Sequence, residues 1–254
     1  MTDSISRFTS RVGNYAKYRP TYPRDVIDLL KKECGLTRES VIADIGSGTG
    51  ILSEMFLKDG NRVFGVEPNA QMRSTAENLL QDYSQFVSVH GAAESTGLES
   101  SSVDFITAAQ AFHWFQRDKA RVEFARIIKP DGWAVLIWNE RRVDSTLFLR
   151  DCEQMFLRFG TDYGKIRHEN VVAEISGFFA PQAFTLKSFE NVQNFDLESF
   201  RGRVLSASYT PEPGNSNFEP MMVRLREIFE THQANGRVKF EYDTKVYYGH
   251  LKTI

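Results

Sequence analysis

Asp44-Ile45-Gly46-Ser47-Gly48-Thr49-Gly50 sets three glycines at alternate positions, the first two residues after an acid. Without a Cβ, glycine takes positive φ and lets amide N–H groups approach a ligand, so Gly46, Ser47, Gly48 and Gly50 form a candidate binding loop. Taken alone, the loop has a second reading as a tight strand-to-helix turn. A nicotinamide dinucleotide site requires G-x-G-x-x-G, but counting from Gly46 leads to Gly48 and then to Ile51 where the third glycine belongs. No P-loop lysine follows either. Asp44 would repel a pyrophosphate and suits a ligand carrying a cationic amino group. Glu67 lies 21 residues after Gly46, the offset at which an acid in such folds accepts hydrogen bonds from ribose hydroxyls. Its alternative is an exposed carboxylate at a strand end. The turn His90-Gly91-Ala92-Ala93-Glu94 brings a further acid, able to accept from an amino-bearing base.

These residues need a scaffold, and the chain from residue 41 supplies alternating apolar runs and helical segments, the pattern of a parallel sheet covered on both faces. VIADIG (41–46) reads as the first strand. Ile51, Leu52, Met55 and Phe56 share one face of a helix that Gly60 ends. RVFGVE (62–67) is a second strand, after which Pro68 opens a helix carrying Met72, Ala76, Leu79 and Leu80 inward. FVSVH (86–90) and VDFITAA (103–109) follow as strands. Asp118 is positioned to cap a helix through Val122, Phe124, Ile127 and Ile128, with a turn at Pro130-Asp131-Gly132 before the strand WAVLIW (133–138). The expectation is a doubly wound α/β core. Beyond residue 140 the rhythm breaks into helical stretches near 144–159, 196–206 and 218–234 around one strand, AFTLKSFE (183–190). RVKFEYDTKVYYGHL (237–251) alternates as a long edge strand.

With 254 residues, 31 Lys+Arg against 33 Asp+Glu and 41% hydrophobic residues, the composition is that of a soluble globular chain and excludes disorder and collagen. A net charge of −2 creates no field that would gather a polyanion, which disfavours nucleic acid as partner and favours a small neutral or anionic substrate. Cys34 and Cys152 have no spacing for a disulfide framework or a zinc site, so no metal is expected and a reducing cytoplasm fits. No run approaches the roughly 18 apolar residues that cross a bilayer, and neither membrane insertion nor secretion is expected. Residues 1–24 hold five basic residues and one acid, with Ile5, Phe8, Val12 and Tyr15 at helical spacing, suited either to import or to docking on the body. A single domain over 1–254 is expected, with 1–24 as an N-terminal lid and helical cap insertions over 140–235. The sequence leaves the oligomeric state open.

Asp44-x-Gly46-x-Gly48-x-Gly50, Glu67, Gly91-Ala92-Ala93-Glu94 and Lys129-Pro130-Asp131-Gly132 together resemble the class I S-adenosylmethionine-dependent methyltransferases over roughly residues 40–140. Tyr15-x-x-Tyr18-Arg19-Pro20-x-Tyr22-Pro23, Gln110-Ala111-Phe112-His113-Trp114-Phe115 and Ser206 to Pro211 are similar to the small-molecule branch with trans-aconitate-type members. The resemblance implies a Rossmann-like seven-stranded sheet of order 3-2-1-4-5-7-6 with the last strand antiparallel and a helical substrate cap. It implies S-adenosyl-L-methionine as cofactor, with the loop amides and Gln110 along the methionyl part and Asp44 near its ammonium. Glu67, followed by Pro68, would hold the ribose, and Ala93 and Glu94 would surround adenine. Tyr15, Tyr18 and Arg19 would form a lid over cofactor and acceptor, or else pack on the core.

Methyl transfer from a sulfonium is an in-line displacement, for which alignment and exclusion of water matter most. His113 is the candidate base, or else an inert histidine at a helix start. Trp114 is either an aromatic wall for the methyl centre or part of the core. A carboxylate acceptor is already ionised at neutral pH and needs no base. Arg19, or Arg141 and Arg142, could pair with such a carboxylate. Nucleic-acid base methylases carry Asp/Asn-Pro-Pro-aromatic after the fourth strand, where this chain has Gln110-Ala111-Phe112-His113. A cofactor-binding module without turnover is the non-enzymatic alternative.

Overall fold

A computed structural model describes residues 13, 17–161, 163 and 171–251, with the side chains of 171–173 left aside. The predicted alternation is present: α1 (Asp25–Cys34), β1 (Val41–Ile45), α2 (Ile51–Asp59), β2 (Arg62–Val66), α3 (Ala70–Leu79), β3 (Phe86–Val89), β4 (Val103–Ala109), α4 (Arg117–Ile127) and β5 (Ile128–Arg141). There follow α5 (Leu147–Phe159), α6 (Val171–Phe179), β6 (Thr185–Phe195), α7 (Leu197–Leu205), α8 (Phe218–His232) and β7 (Val238–Gly249). The sheet has seven strands in the order β3-β2-β1-β4-β5-β7-β6. β1 to β5 pair in parallel, and β7 runs antiparallel to both β5 and β6. This is the Rossmann-like order the resemblance implies.

Both faces of the sheet are covered, which explains the unbroken apolar character of its central strands. Along β5, Ala134, Leu136 and Trp138 enter one core with Phe112, Phe124 and Phe178. Val135 and Ile137 point to the other, with Ile27 and Leu30 of α1 and Phe56 of α2. Successive strand residues face opposite ways, so one short run feeds two layers. A third cluster, including Phe148, Phe156, Phe200, Leu225 and Ile228, gathers α5, α7 and α8 on the first half of β7 through Phe240 and Tyr242.

Several expectations need correction. β7 is not an edge strand: Val246, Tyr247 and Tyr248 are buried on both faces, and β6 lies outside it. The polar, largely exposed β6 sequence is the one suited to an edge. The turn at Pro130-Asp131-Gly132 lies inside β5 as an irregularity, because pairing jumps from Val103↔Ile128 to Phe105↔Trp133. Asp118 lies in the first turn of α4 but does not cap it; Gln116 holds that position. Asn69, not Pro68, starts α3, its Oδ1 accepting from Gln71 N and Met72 N. Leu79 and Val122 are exposed. Helices α1 and α6 were not anticipated.

Candidate functional site

The glycine loop crosses from β1 to α2 at the carboxyl edge of the parallel strands, where open α/β sheets bind ligands. Gly46 N and Ser47 N both donate to Val66 O, at 2.8 and 3.2 Å, tying the loop to the end of β2. Gly46 has φ +70°, and a Cβ there would lie 2.7 Å from Ala111 Cβ. Only glycine meets both conditions without displacing a neighbour. Gly48 and Gly50 also have positive φ, so the sequence requirement for left-handed backbone holds across the loop.

Glu67 is a buried anchor rather than an exposed strand-end carboxylate, with only 7% exposure. Its Oε2 accepts from Gly48 N at 2.9 Å and its Oε1 from Asn69 N at 2.8 Å. Burial raises its pKa, opposed by those two N–H groups and by the nearby Arg73 charge. Each oxygen keeps a second lone pair for a ligand hydroxyl. Asn69 was missed in the sequence; its place before an amphipathic helix start was the available signal. Pro68 beside it is half-buried.

Asp44, 1% exposed, sits beneath the loop at the end of β1. Ser53 Oγ donates to Oδ2 at 2.7 Å and Thr107 Oγ1 to Oδ1 at 3.2 Å. Burial pushes its pKa up to about 6; the two hydroxyls oppose the rise and the Glu67 charge adds to it. Two carboxylates therefore frame the loop, both held by neutral donors. That arrangement suits a cation and opposes phosphate.

The remaining residues fall around the same rim. Ala93 is buried in the tight turn closed by Ser95 N to Ala92 O. Glu94 Oε1 accepts from Gln116 N at 2.6 Å, linking this turn to the start of α4. Gln110 has φ +55°, an uncommon conformation for a residue with a side chain. Its amide is held by Ile137 O and its Nε2 donates to Asn139 O at 3.0 Å. His113 and Trp114 follow in a 3-10 turn, Phe112–Trp114, with ring centroids 4.7 Å apart. Phe112 fills the core, edge-on to Phe178 and Trp138, whereas His113 and Trp114 are only half-buried.

Residues 18–21 reach this rim. Tyr18 packs against Gly202 of α7, where a Cβ would strike its ring. Arg19 Nη2 donates to Ser206 O at 2.9 Å. Tyr15 lies outside the described residues. Asn139, also missed, joins the parts: its Oδ1 accepts from Thr244 Oγ1 and Asn191 Nδ2, and its Nδ2 donates to Thr21 O. Of the two neighbouring arginines, Arg142 is turned outward and pairs with Asp243 at 2.7 Å and Glu190 at 3.0 Å. Arg141 is turned inward, bonded to Glu153 and Tyr163. Among the described residues no group of three or more His, Cys, Asp or Glu side chains could hold a metal ion. No helix there is long and apolar enough to cross a membrane.

Residues 43–136 match the family described as Methyltransferase domain. An uncharacterized methyltransferase of Mycobacterium bovis is 36% identical over 139 residues, 55% of this chain and 54% of that protein. The chain thus matches about half the length of that curated relative. An uncharacterized methyltransferase of Schizosaccharomyces pombe is 25% identical over 244 residues, covering 94% of this chain and 95% of its own. Among solved structures, a candidate type II methyltransferase of Anaeromyxobacter dehalogenans superposes with TM-score 0.69 at 21% identity, covering 92% of this chain and 98% of that one. That likeness concerns the fold.

Proposed function

For this chain, which belongs to the class I S-adenosylmethionine-dependent methyltransferases, we propose methyl transfer to a small-molecule acceptor by in-line displacement, with a carboxylic acid as the favoured acceptor. The observation that carries the cofactor assignment is the buried Glu67 clamp on Gly48 N, which fixes an acid beside a loop of left-handed backbone. The Gly46, Ser47, Gly48 and Gly50 backbone and Gln110 line the methionyl end, and Asp44 offers its charge to the ammonium. Glu67 and Pro68 meet the ribose, and Ala93 and Glu94 the base.

S-adenosylmethionine supplies an electrophilic methyl group on a sulfonium. The chain's own task is to orient the acceptor and keep water out. Trp114 forms an aromatic wall and His113 orients an ionised acceptor, or takes the proton of a phenol or amine. Tyr18 and Arg19 close the acceptor side. The net charge of −2 and the Gln110 to His113 sequence favour a small acceptor over nucleic acid. A cytoplasmic location belongs to the same reading, supported by two buried free thiols.

Titration calorimetry with S-adenosylhomocysteine, followed by a screen of small acids, phenols and amines for transfer of labelled methyl, tests this function. Expected are tight binding and turnover on an acid. Glu67→Gln, which leaves one of the two N–H groups facing an amide donor, should weaken S-adenosylhomocysteine by about 1–3 kcal/mol. Absence of cofactor binding overturns the assignment. Binding with no turnover on any acceptor leaves a cofactor-binding module instead.

A further inference from the structure

Two arginines lie inside the region where cap and sheet meet. Arg203 of α7 is 7% exposed, and the Arg141 side chain is 10% exposed. Among the described residues Arg203 makes one side-chain hydrogen bond, from Nε to Tyr242 Oη at 3.1 Å, and no ion pair. Arg141 directs Nη2 to Glu153 and to Tyr163 Oη, while its Nη1 is buried with no hydrogen-bond partner. Both guanidinium groups flank the Phe240 ring, at 5.9 and 6.0 Å from its centroid. A guanidinium stays charged under all ordinary conditions. Among the described residues, two cations therefore share one aromatic wall with a single carboxylate, Glu153, and a buried charge without a counterion is costly.

The pair is connected to the reaction rim on two sides. Arg141 and Tyr242 are direct partners across β5 and β7, and Arg141 lies two residues past Asn139, whose carbonyl holds Gln110. From Arg203 a chain of hydrogen bonds runs through Tyr242 Oη to Gln193 Oε1, and from Gln193 Nε2 to Tyr18 O. The cations thus lie between the end of β5 and the segment carrying Tyr18 and Arg19.

We infer that Arg203 and Arg141 form the anion pocket of the acceptor site, anchoring a carboxylate whose apolar body lies along the surrounding aromatic side chains. This inference rests on the small-molecule methyltransferase function proposed above and names the recognition element within it. Among the described residues, two guanidinium charges against one Glu153 leave a single positive charge, which a monoanionic carboxylate balances and a phosphate dianion would overfill. Planar guanidinium groups also match a carboxylate geometrically. Arg142, adjacent in sequence, takes no part, because Asp243 and Glu190 already neutralise it on the outer side.

The test uses the full chain saturated with S-adenosylhomocysteine, titrated with phenylacetate and hexanoate, with phenylacetamide as the uncharged control and inorganic phosphate as the competing anion. At least one carboxylate should bind, with phenylacetamide and phosphate at least about tenfold weaker. Arg203→Lys should weaken the carboxylate about tenfold and Arg203→Met about a hundredfold, with S-adenosylhomocysteine affinity within twofold of the wild type. If Arg203→Met does not fold, Arg203→Lys and Arg141→Lys carry the same comparison, since both keep the charge. The inference is overturned if no carboxylate binds the loaded chain, if phenylacetamide or phosphate binds as well, or if the variants bind carboxylate unchanged. Failure of S-adenosylhomocysteine to bind strikes the function proposed above instead; the same titration on the chain alone then reads the arginine pair directly.

Discussion

The two sides of the site are built differently. On the cofactor side, Asp44, the glycine loop and Glu67 lie within 24 residues of one another. Their partner Ser53 lies in the same stretch and Asn69 two residues beyond it, while Thr107 of β4 reaches Asp44 from further along the chain. On the proposed acceptor side, Tyr18, Arg141, Glu153, Tyr163, Arg203 and Tyr242 come from six separate segments. The first side buries acids held by neutral donors, and the second buries cations in excess of acids. A local chain segment can build a cradle for an invariant cofactor, whereas a pocket for a particular acceptor needs walls from several elements and can vary with each.

This contrast predicts separable damage. Phe200 of α7 is fully buried in the cap cluster against Phe148 and Phe240. Phe200→Ala should cost about 3–5 kcal/mol of stability, measured by denaturant unfolding. At a temperature where the variant stays folded, S-adenosylhomocysteine affinity should be nearly unchanged and turnover lost. Equal loss of both would show that the two sides do not act as separate units.

On the cofactor side, the raised Asp44 pKa gives a smaller effect with a definite sign. Between its ordinary value of 3.8 and about 6, the unfolded chain ionises Asp44 before the folded one does. Stability from this group is greatest below pH 4, falls as pH rises through that window, and levels off above about pH 6. Asp44→Asn should therefore raise the stability of the unliganded protein at pH 7 by about 1–3 kcal/mol. A cationic ligand favours the ionised form, so S-adenosylmethionine affinity should fall as pH drops below about 6 in the wild type and stay flat in Asp44→Asn. Calorimetry at pH 5 and 7.5 measures this; a flat wild-type profile would remove Asp44 as the ammonium partner.

The smallest effect is expected at Arg142. Its pairs with Glu190 and Asp243 lie at the surface, and such pairs contribute less than about 1 kcal/mol. Arg142→Ala should leave stability, cofactor binding and acceptor turnover almost unchanged, in contrast to Arg141→Ala. A loss of acceptor turnover at Arg142→Ala with normal stability would move the anion site to the outer face.

The amino-acid order alone determined the five parallel strands, the left-handed glycine loop and the acid after β2, because each depends on near neighbours or on short periodicity. It also offered Arg19, or Arg141 and Arg142, as partners for an acceptor carboxylate. Tertiary structure separates the two neighbouring arginines: adjacent residues at a strand end point to opposite sides, and Arg141, paired with Tyr242, is turned inward. The same long-range pairing put β7 inside the sheet and β6 at its edge, since alternation reports which residues share a face but not which strand lies alongside. Arg203 and Asn139 carried no local signal at all. Their partners are up to 118 positions away in the chain, so only the folded arrangement brings their hydrogen-bonding groups together.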